Sequence, residues 1–305
     1  GTLLATCGDG ASYNATDRGG DAGGSYGTQG IQTGIITQAE NIGAYRSQSL
    51  DSLSGKVVRI DPETGDGVPG NPYYNSSSPR SARSRLYALG LRNPYRFTVK
   101  PGTGSTNVGD GNPGVLYIGD VGWGSAEELN ICTQKGQNFG WPLYEGNSQR
   151  SDYWTTRPAG MPFVPVTKTS LYWRGSAFAV VNGTAYQMGA ANNPVSGPNF
   201  SGNASTGGVW YQGHDFPPEW QNTYFQADYG GNWIKAVNLD ANHVPTQVRN
   251  FYSGGPVVFV ATHPERGGLY YTRSKKVNGL VVREYVGGGI LGQASAQLDA
   301  DQRQH

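Results

Sequence analysis

Short apolar runs bounded by glycine-containing turns recur along the chain. The first member of each pair is a turn followed by an apolar run, at residues 1–6, 114–120, 223–228 and 268–272. The second member is a short run at residues 55–60, 128–132, 231–237 and 279–285. All of these except 128–132 start at Gly and carry a basic residue. Period-two alternation with almost no helical periodicity predicts four antiparallel hairpins. The sequence therefore predicts an all-β fold of repeated units, a β-propeller, with a β-sandwich as the alternative.

The segments between these hairpins are long and polar. Residues 11–53 and 144–206 contain few apolar runs and much Gly, Ser, Asn and Thr. In a propeller, insertions of this kind lie on one rim and shape the pocket at the axis. The pattern stops after Val286, so we expect a propeller domain over residues 1–286 and a Gly-rich linker with a polar tail over residues 287–305.

Bulk composition excludes several classes of protein. The 23 basic and 22 acidic residues balance, so no charge excess draws the chain to nucleic acid or an anionic membrane, and no apolar run is long enough for a membrane span. Cys7 and Cys132 lack metal-ligand spacing, and the sequence leaves both one disulfide and two free thiols open. Low charge and five Asn-x-Ser/Thr triplets favour an exported protein, extracellular or periplasmic. The triplets begin at Asn14, Asn75, Asn182, Asn199 and Asn203.

The stretch from Leu116 to Gly146 is the first candidate for chemistry. Two predicted strands flank a Gly-rich loop that ends in the paired acids Glu127 and Glu128. Free backbone carbonyls and carboxylates in such a loop suit a hard cation such as calcium or a polar ligand. The alternative is an ordinary hairpin whose loop acids are solvated.

Two kinds of charged residue also follow strands. Arg92 precedes Asn93-Pro94, which ends a strand and directs the guanidinium off the sheet edge, towards an anion or carbonyl site; a solvated loop is the alternative. Asp9 and Asp120 follow apolar strands in the same register, so they are expected to face one axial cleft, unless each only satisfies turn amides. No histidine has metal-ligand spacing to another, and none is assigned a catalytic role.

Five motifs in order resemble the soluble PQQ-dependent sugar dehydrogenases, the glucose/sorbosone dehydrogenase family. They are GKVVRID, ALGLRNP, YIGDVG, EELN and NFGWP, at residues 55–61, 88–94, 117–122, 127–130 and 138–142. The resemblance implies a six-bladed β-propeller, of which about four blades are visible here. It is looser over the later segment, through YFQADYGGNWIKAVNLD.

The resemblance also implies roles for individual residues. Asp9 matches the aspartate that orients the family's catalytic histidine, which is expected before Gly1. Arg92 matches the arginine beside the reactive carbonyl of PQQ, and Asn93 matches a cofactor contact. The calcium under PQQ is expected on the backbone carbonyls of Gly122 and Trp123, with Glu128 contributing.

Two departures from the family pattern concern the cofactor. Tyr229 stands where the family has a lysine that reaches PQQ, and residues 256–261 lack the arginines that meet its carboxylates. PQQ carries three carboxylates. With fewer cationic partners for them in this chain, we expect weaker PQQ binding than is usual in the family.

Two functions from different classes follow. The first is a secreted dehydrogenase that oxidises an aldose at C1 with PQQ as electron acceptor. The second is a non-catalytic extracellular propeller, stiffened by calcium, that binds carbohydrate or protein through aromatic loops. Because six blades close the family's ring, we also expect residues 1–305 to be the C-terminal part of a longer polypeptide whose N-terminal segment supplies the other blades.

Overall fold

Each of the four predicted hairpins forms an antiparallel strand pair in the computed structural model, which describes residues 1–161, 164–262, 268–277 and 280–287. The all-β fold class is thereby confirmed. The chain divides into two compact units, Gly1–Tyr172 and Trp173–His305. The predicted linker and tail lie outside the described residues, except for Gly287.

Unit 1 is built of short strands in antiparallel sheets. One sheet has the order β1-β2-β3, a second contains β4, β5 and β6 as neighbours, and β7 pairs with β8. The strands are β1 (Leu3–Cys7), β2 (Lys56–Ile60), β3 (Leu86–Leu89), β4 (Pro94–Val99), β5 (Leu116–Asp120), β6 (Glu127–Cys132), β7 (Tyr144–Glu145) and β8 (Ser148–Gln149). β5 and β6 are buried along their whole length, as expected for strands covered on both faces.

Helices in unit 1 are short, in agreement with the lack of helical periodicity. They are α1 (Gly27–Gln32), α2 (Ala82–Arg85) and α3 (Ser151–Trp154), with 3₁₀ turns at Ala22–Gly24, Gln38–Glu40, Gly43–Ser47 and Val108–Asp110. Within the described ranges, no helix has both the length and the apolar character to cross a bilayer.

Unit 2 contains a four-stranded sheet of order β12-β13-β14-β15, a three-stranded sheet of order β16-β17-β18, and the β10–β11 hairpin. A further strand, β9 (Leu171–Trp173), spans the division between the units. The remaining strands are β10 (Ala177–Val181), β11 (Thr184–Gln187), β12 (Ser205–Tyr211), β13 (Thr223–Asp228), β14 (Trp233–Leu239), β15 (Pro245–Ser253), β16 (Val257–Thr262), β17 (Leu269–Val277) and β18 (Leu280–Gly287). A 3₁₀ turn covers Pro218–Trp220.

The structure corrects the interpretation of residues 144–206 as polar linkage. That range contains the β10–β11 hairpin, whose turn is Asn182-Gly183 with φ of 51° and 78°. Two consecutive positive φ values are what a two-residue hairpin turn requires, and Asn-Gly supplies them at low cost. The choice that the sequence left open for the cysteines is also settled, because Cys7 and Cys132 are both free thiols.

Aspartate side chains at strand ends hold the neighbouring turns in both units. Asp120 ends β5 and accepts hydrogen bonds from the backbone of the turn that precedes β4. Asp228 ends β13 and accepts the backbone N–H of Asn203, which lies just before β12, at 2.9 Å. The same device thus recurs at the corresponding end of two sheets.

Candidate functional site

Arg92 lies in the turn between β3 and β4, where Pro94 prevents continuation of the preceding strand. Its Nη1 donates to the carbonyl oxygens of Val121 and Gly122, both at 2.9 Å. The guanidinium carbon also lies 5.6 Å from the centre of the Trp141 ring. Within the described chain, Nε and Nη2 of this half-buried side chain make no hydrogen bond, so they are available to an anionic or carbonyl oxygen.

The backbone of the Arg92 turn is held by Asp120. The two carboxylate oxygens accept the N–H groups of Arg92 at 3.1 Å and of Asn93 at 2.7 Å. Asp120 is only 2% exposed. Its interaction is therefore with a turn from another strand pair, not with the amides of its own turn as the alternative interpretation supposed.

Asp9 also contacts the backbone of this turn. Its backbone N–H donates to the Arg92 carbonyl at 2.8 Å, and its Oδ2 accepts the indole N–H of Trp141 at 2.7 Å. Burial raises the pKa of Asp9, although the N–H of Ala11 and the Trp141 indole act against that rise. Asp9 and Asp120 thus flank one turn whose guanidinium faces Trp141.

The loop from Trp123 to Ala126 is organised by Glu145, a residue that the sequence did not single out. One oxygen of Glu145, Oε1, accepts four consecutive backbone N–H groups at 2.7, 2.9, 3.0 and 3.3 Å. The other, Oε2, pairs with the guanidinium of Arg150 at 2.5 Å. Hydrogen bonds from the loop amides and the charge of Arg150 lower the pKa of Glu145 against the effect of burial. A single buried carboxylate therefore fixes the backbone of the loop.

Arg150 connects this loop to the aromatic residues. Its guanidinium lies 4.9 Å from the centre of the Trp123 ring and 5.9 Å from that of Trp141. The indole N–H of Trp123 in turn donates to the carbonyl of Tyr13 at 2.8 Å. Two arginines and two tryptophans thus lie together on unit 1, at the loop that follows β5.

Glu128 lies directly opposite Asp120 in the β5–β6 pair and is 7% exposed. It accepts the backbone N–H of Gly146 at 2.5 Å and the side-chain amide of Asn130 at 2.8 Å. Burial and the neighbouring Asp120 carboxylate raise the pKa of Glu128, and burial likewise raises the pKa of Asp120 to about 7. Two facing buried carboxylates favour a protonated partner.

The other residues that the sequence singled out belong to unit 2. Tyr229 follows β13 with 43% exposure. Strand β16 contains no arginine, but Arg273 of the neighbouring strand β17 lies opposite Val257. The described histidines His214 and His243 lie in turns, and among the described residues no three acidic, Cys or His side chains are grouped to hold a metal.

Comparison with known families decides the classification. A family model described as glucose/sorbosone dehydrogenase matches residues 13–204, more than half of the chain. The chain belongs to this family. Its members' β-propeller fold is supported by similarity to the structure of an oxidoreductase from Thermus thermophilus, assigned as a glucose dehydrogenase. That similarity has a TM-score of 0.52 at 20% identity and covers 89% of this chain and 56% of that one.

Curated relatives of this glucose/sorbosone dehydrogenase family member align over shorter ranges. The aldose sugar dehydrogenase YliI of Escherichia coli K12 is 28% identical over 152 residues, which are 50% of this chain and 36% of that protein. The HIPL1 protein of Arabidopsis thaliana is 30% identical over 112 residues, 33% of this chain and 15% of that protein. The chain therefore matches well under half of the length of these relatives.

The family implies PQQ, and the arrangement around Arg92 fits such a group. PQQ is a planar quinone with carboxylates, and Arg92 presents two guanidinium nitrogens without partners in the described chain beside the buried indole of Trp141. Asn93 is exposed next to it. Hydrogen-bond donors and flat aromatic faces are the features that a planar anion requires.

The residues expected to hold calcium do not fit that ion while Arg92 stays in place. The Gly122 carbonyl already accepts the guanidinium, and a divalent cation within reach of the same oxygen would repel it. Both Glu128 oxygens accept hydrogen bonds from other residues. Calcium on the carbonyls of Gly122 and Trp123 stays a prediction, with the condition that Arg92 first leaves Gly122.

Proposed function

We propose that this chain carries the cofactor and sugar site of a PQQ-dependent aldose dehydrogenase that oxidises the C1 hydroxyl. The observation that carries the proposal is the Arg92 guanidinium, held by two carbonyls between Trp141 and the loop after β5 with two of its nitrogens unused. Membership of the glucose/sorbosone dehydrogenase family supports the reaction class. An extracellular or periplasmic location is part of the same proposal.

The bound quinone would supply the acceptor for a hydride from the sugar C1 carbon. Arg92 binds and orients an oxygen of that group and stabilises negative charge that develops on it. Asp120 holds the backbone of Arg92 in position, because the Asp120 carboxylate accepts the backbone N–H groups of both Arg92 and Asn93.

Asp9 has the position of a residue that orients a base. Its carboxylate is 9% exposed and is directed by the Trp141 indole and the Ala11 N–H. A buried carboxylate stabilises an imidazolium that forms beside it, and the matching family position has that role toward a histidine. The histidine itself is not assigned to a residue of this chain.

The test is dye reduction by the full-length protein with added PQQ and glucose, with Arg92→Ala and Arg92→Lys beside it. We expect both variants to lose most activity, since a lysine cannot reproduce the planar fork of donors. Arg80→Lys is the matched control, because the Arg80 side chain is 71% exposed and pairs with Asp66. PQQ affinity, followed by the absorbance of the quinone, should fall together with activity.

The second function predicts a different outcome of the same experiment. A non-catalytic propeller would bind sugar without reducing the dye, and Arg92→Ala would leave sugar binding unchanged. Dye reduction that is insensitive to Arg92→Ala would contradict the proposed role of this arginine.

A further inference from the structure

The segment between β1 and β2 forms a cleft that the proposed reaction does not use. The cleft has a volume of about 490 Å³ and is lined only by residues between Gly10 and Arg46. Small-molecule sites usually have volumes of roughly 300–1,000 Å³, so the cleft is large enough for a ligand. It belongs entirely to unit 1.

The two charged side chains at the cleft form hydrogen bonds with backbone groups of the protein. Asp17 and Arg46 are the charged side chains of its lining. Asp17 is 1% exposed and accepts the N–H groups of Ser12 and Gly19, at 2.9 Å each. Arg46 donates to the carbonyl of Gly10 at 2.6 Å and to that of Asp9 at 3.3 Å. The cleft therefore suits an uncharged ligand that carries hydroxyl groups, not an anion or a cation.

Tyr26 at this cleft is in an unusual state for an aromatic residue. It is 71% exposed and has a left-handed backbone, with φ of 56° and ψ of 29°. Bulky side chains rarely adopt that conformation, and residues that do so often serve a site. In the described chain its ring makes no aromatic contact or hydrogen bond, and the side chain of Gln29 lies in the same lining. An unused aromatic face beside an amide is suited to the C–H face and hydroxyls of a sugar ring.

The cleft adjoins the candidate reaction site. Gly10 in its lining directly follows Asp9, and Arg46 binds the carbonyls of both residues. The Trp123 indole donates to the carbonyl of Tyr13 in the same segment. Asp9 and the lining of the cleft thus belong to one segment of the chain and meet at Gly10.

We propose that this cleft is a saccharide subsite which binds the second and third rings of an uncharged oligosaccharide. The proposal rests on the proposed function for the position of the reacting ring, but sugar binding in the cleft does not depend on oxidation.

The test measures binding of maltotriitol, cellotriitol and glucitol to the protein without PQQ, by saturation-transfer NMR. These reduced sugars have no C1 hemiacetal to oxidise. We expect one trisaccharide alditol to bind and Tyr26→Asn to weaken it about tenfold, the effect of losing one aromatic contact. Asn tolerates the left-handed backbone, so the melting temperature of this variant should equal or exceed that of the wild type. Tyr13→Asn is the control, because Tyr13 is 74% exposed on the same segment but outside the lining, and should change nothing.

Absence of binding by both trisaccharide alditols, or equal binding by Tyr26→Asn, would overturn the inference. Dye reduction with PQQ separates it from the proposed function. Alditol binding without any dye reduction would sink the dehydrogenase and leave the subsite intact. Dye reduction with the same kcat/KM for glucose and for maltotriose and cellotriose would sink the subsite alone.

Discussion

Removing the carboxylate of Glu145 should release the loop that carries Trp123. In Glu145→Ala, four backbone N–H groups lose a shared acceptor, and Arg150 loses one of its two acidic partners. Water can replace the acceptor for the exposed amides, but not for Ala126, which is 2% exposed. A buried amide without a partner costs about 1–3 kcal/mol and a broken buried ion pair about 3–5 kcal/mol. Since Arg150 keeps Asp152, we expect a total loss of about 4 kcal/mol in the free energy of unfolding.

Glu145→Gln separates the acceptor from the charge. The amide oxygen can still accept the loop N–H groups, whereas its NH₂ group faces another donor, Arg150. Hydrogen bonds to a charged group are about twice as strong as neutral ones, so this variant should lose about 2 kcal/mol. The expected order of stability is wild type, then Glu145→Gln, then Glu145→Ala. Glu63→Ala, at an exposed acid, should change the free energy by no more than about 0.5 kcal/mol.

Urea unfolding followed by circular dichroism gives the free energies, and native-state hydrogen exchange gives the local effect. The amides of residues 123–126 should exchange much faster in Glu145→Ala, while those of β5 and β6 stay protected. The emission of Trp123 should also shift towards that of a solvated indole. Unchanged exchange at residues 123–126 in Glu145→Ala would refute the assignment of this carboxylate as the loop anchor.

Three further outcomes test the surroundings of the site. Trp141→Phe removes the indole donor to Asp9 and should cost about 1–2 kcal/mol by urea unfolding; an unchanged midpoint would contradict that contact. Because the pKa values of Asp120 and Glu128 are raised, the folded state binds more protons than the unfolded state. The free energy of unfolding should therefore fall as pH rises from about 4 through about 7. The fall should be smaller in Glu128→Gln. Melting curves at several pH values test this, and parallel curves for both proteins would oppose it. Calcium should raise the melting temperature of the wild type less than that of Arg92→Ala, because the guanidinium occupies the Gly122 carbonyl in the wild type; EGTA is the control, and an equal rise in both proteins would count against this.

The hairpins were predictable because their signal is local. Short apolar runs next to turn residues place Leu116–Asp120 and Glu127–Cys132 in strands, independently of distant parts of the chain. The Asn182-Gly183 turn carried an equally local signal, and it was missed because the surrounding segment is rich in polar residues. Prediction from the sequence therefore succeeded or failed here on short-range patterns alone.

The site was only partly predictable, because its contacts join distant residues. Arg92 was identified from the Asn93-Pro94 pair that follows it, and its guanidinium donates to the carbonyls of Val121 and Gly122. Glu145 gave no such sign: its oxygen meets amides about 20 residues earlier, and nothing in Tyr-Glu-Gly marks an acceptor for four N–H groups. The contact of Arg92 with the Gly122 carbonyl, where calcium was expected, depends on three-dimensional position, which no sequence motif specifies.

The segment between β1 and β2 is well packed near its ends and mostly exposed in its middle part, the tip. Near its ends, Tyr45 packs edge-on against Tyr153 at 5.5 Å, and the buried ammonium of Lys56 donates to three carbonyls. Between residues 20 and 36, by contrast, Gly27 alone is buried. The tip can consequently be exchanged for loops of other lengths while Asp9 keeps its place. In evolution or in the laboratory, substrate range would then vary by grafting a surface loop, with no change to the residues around Arg92.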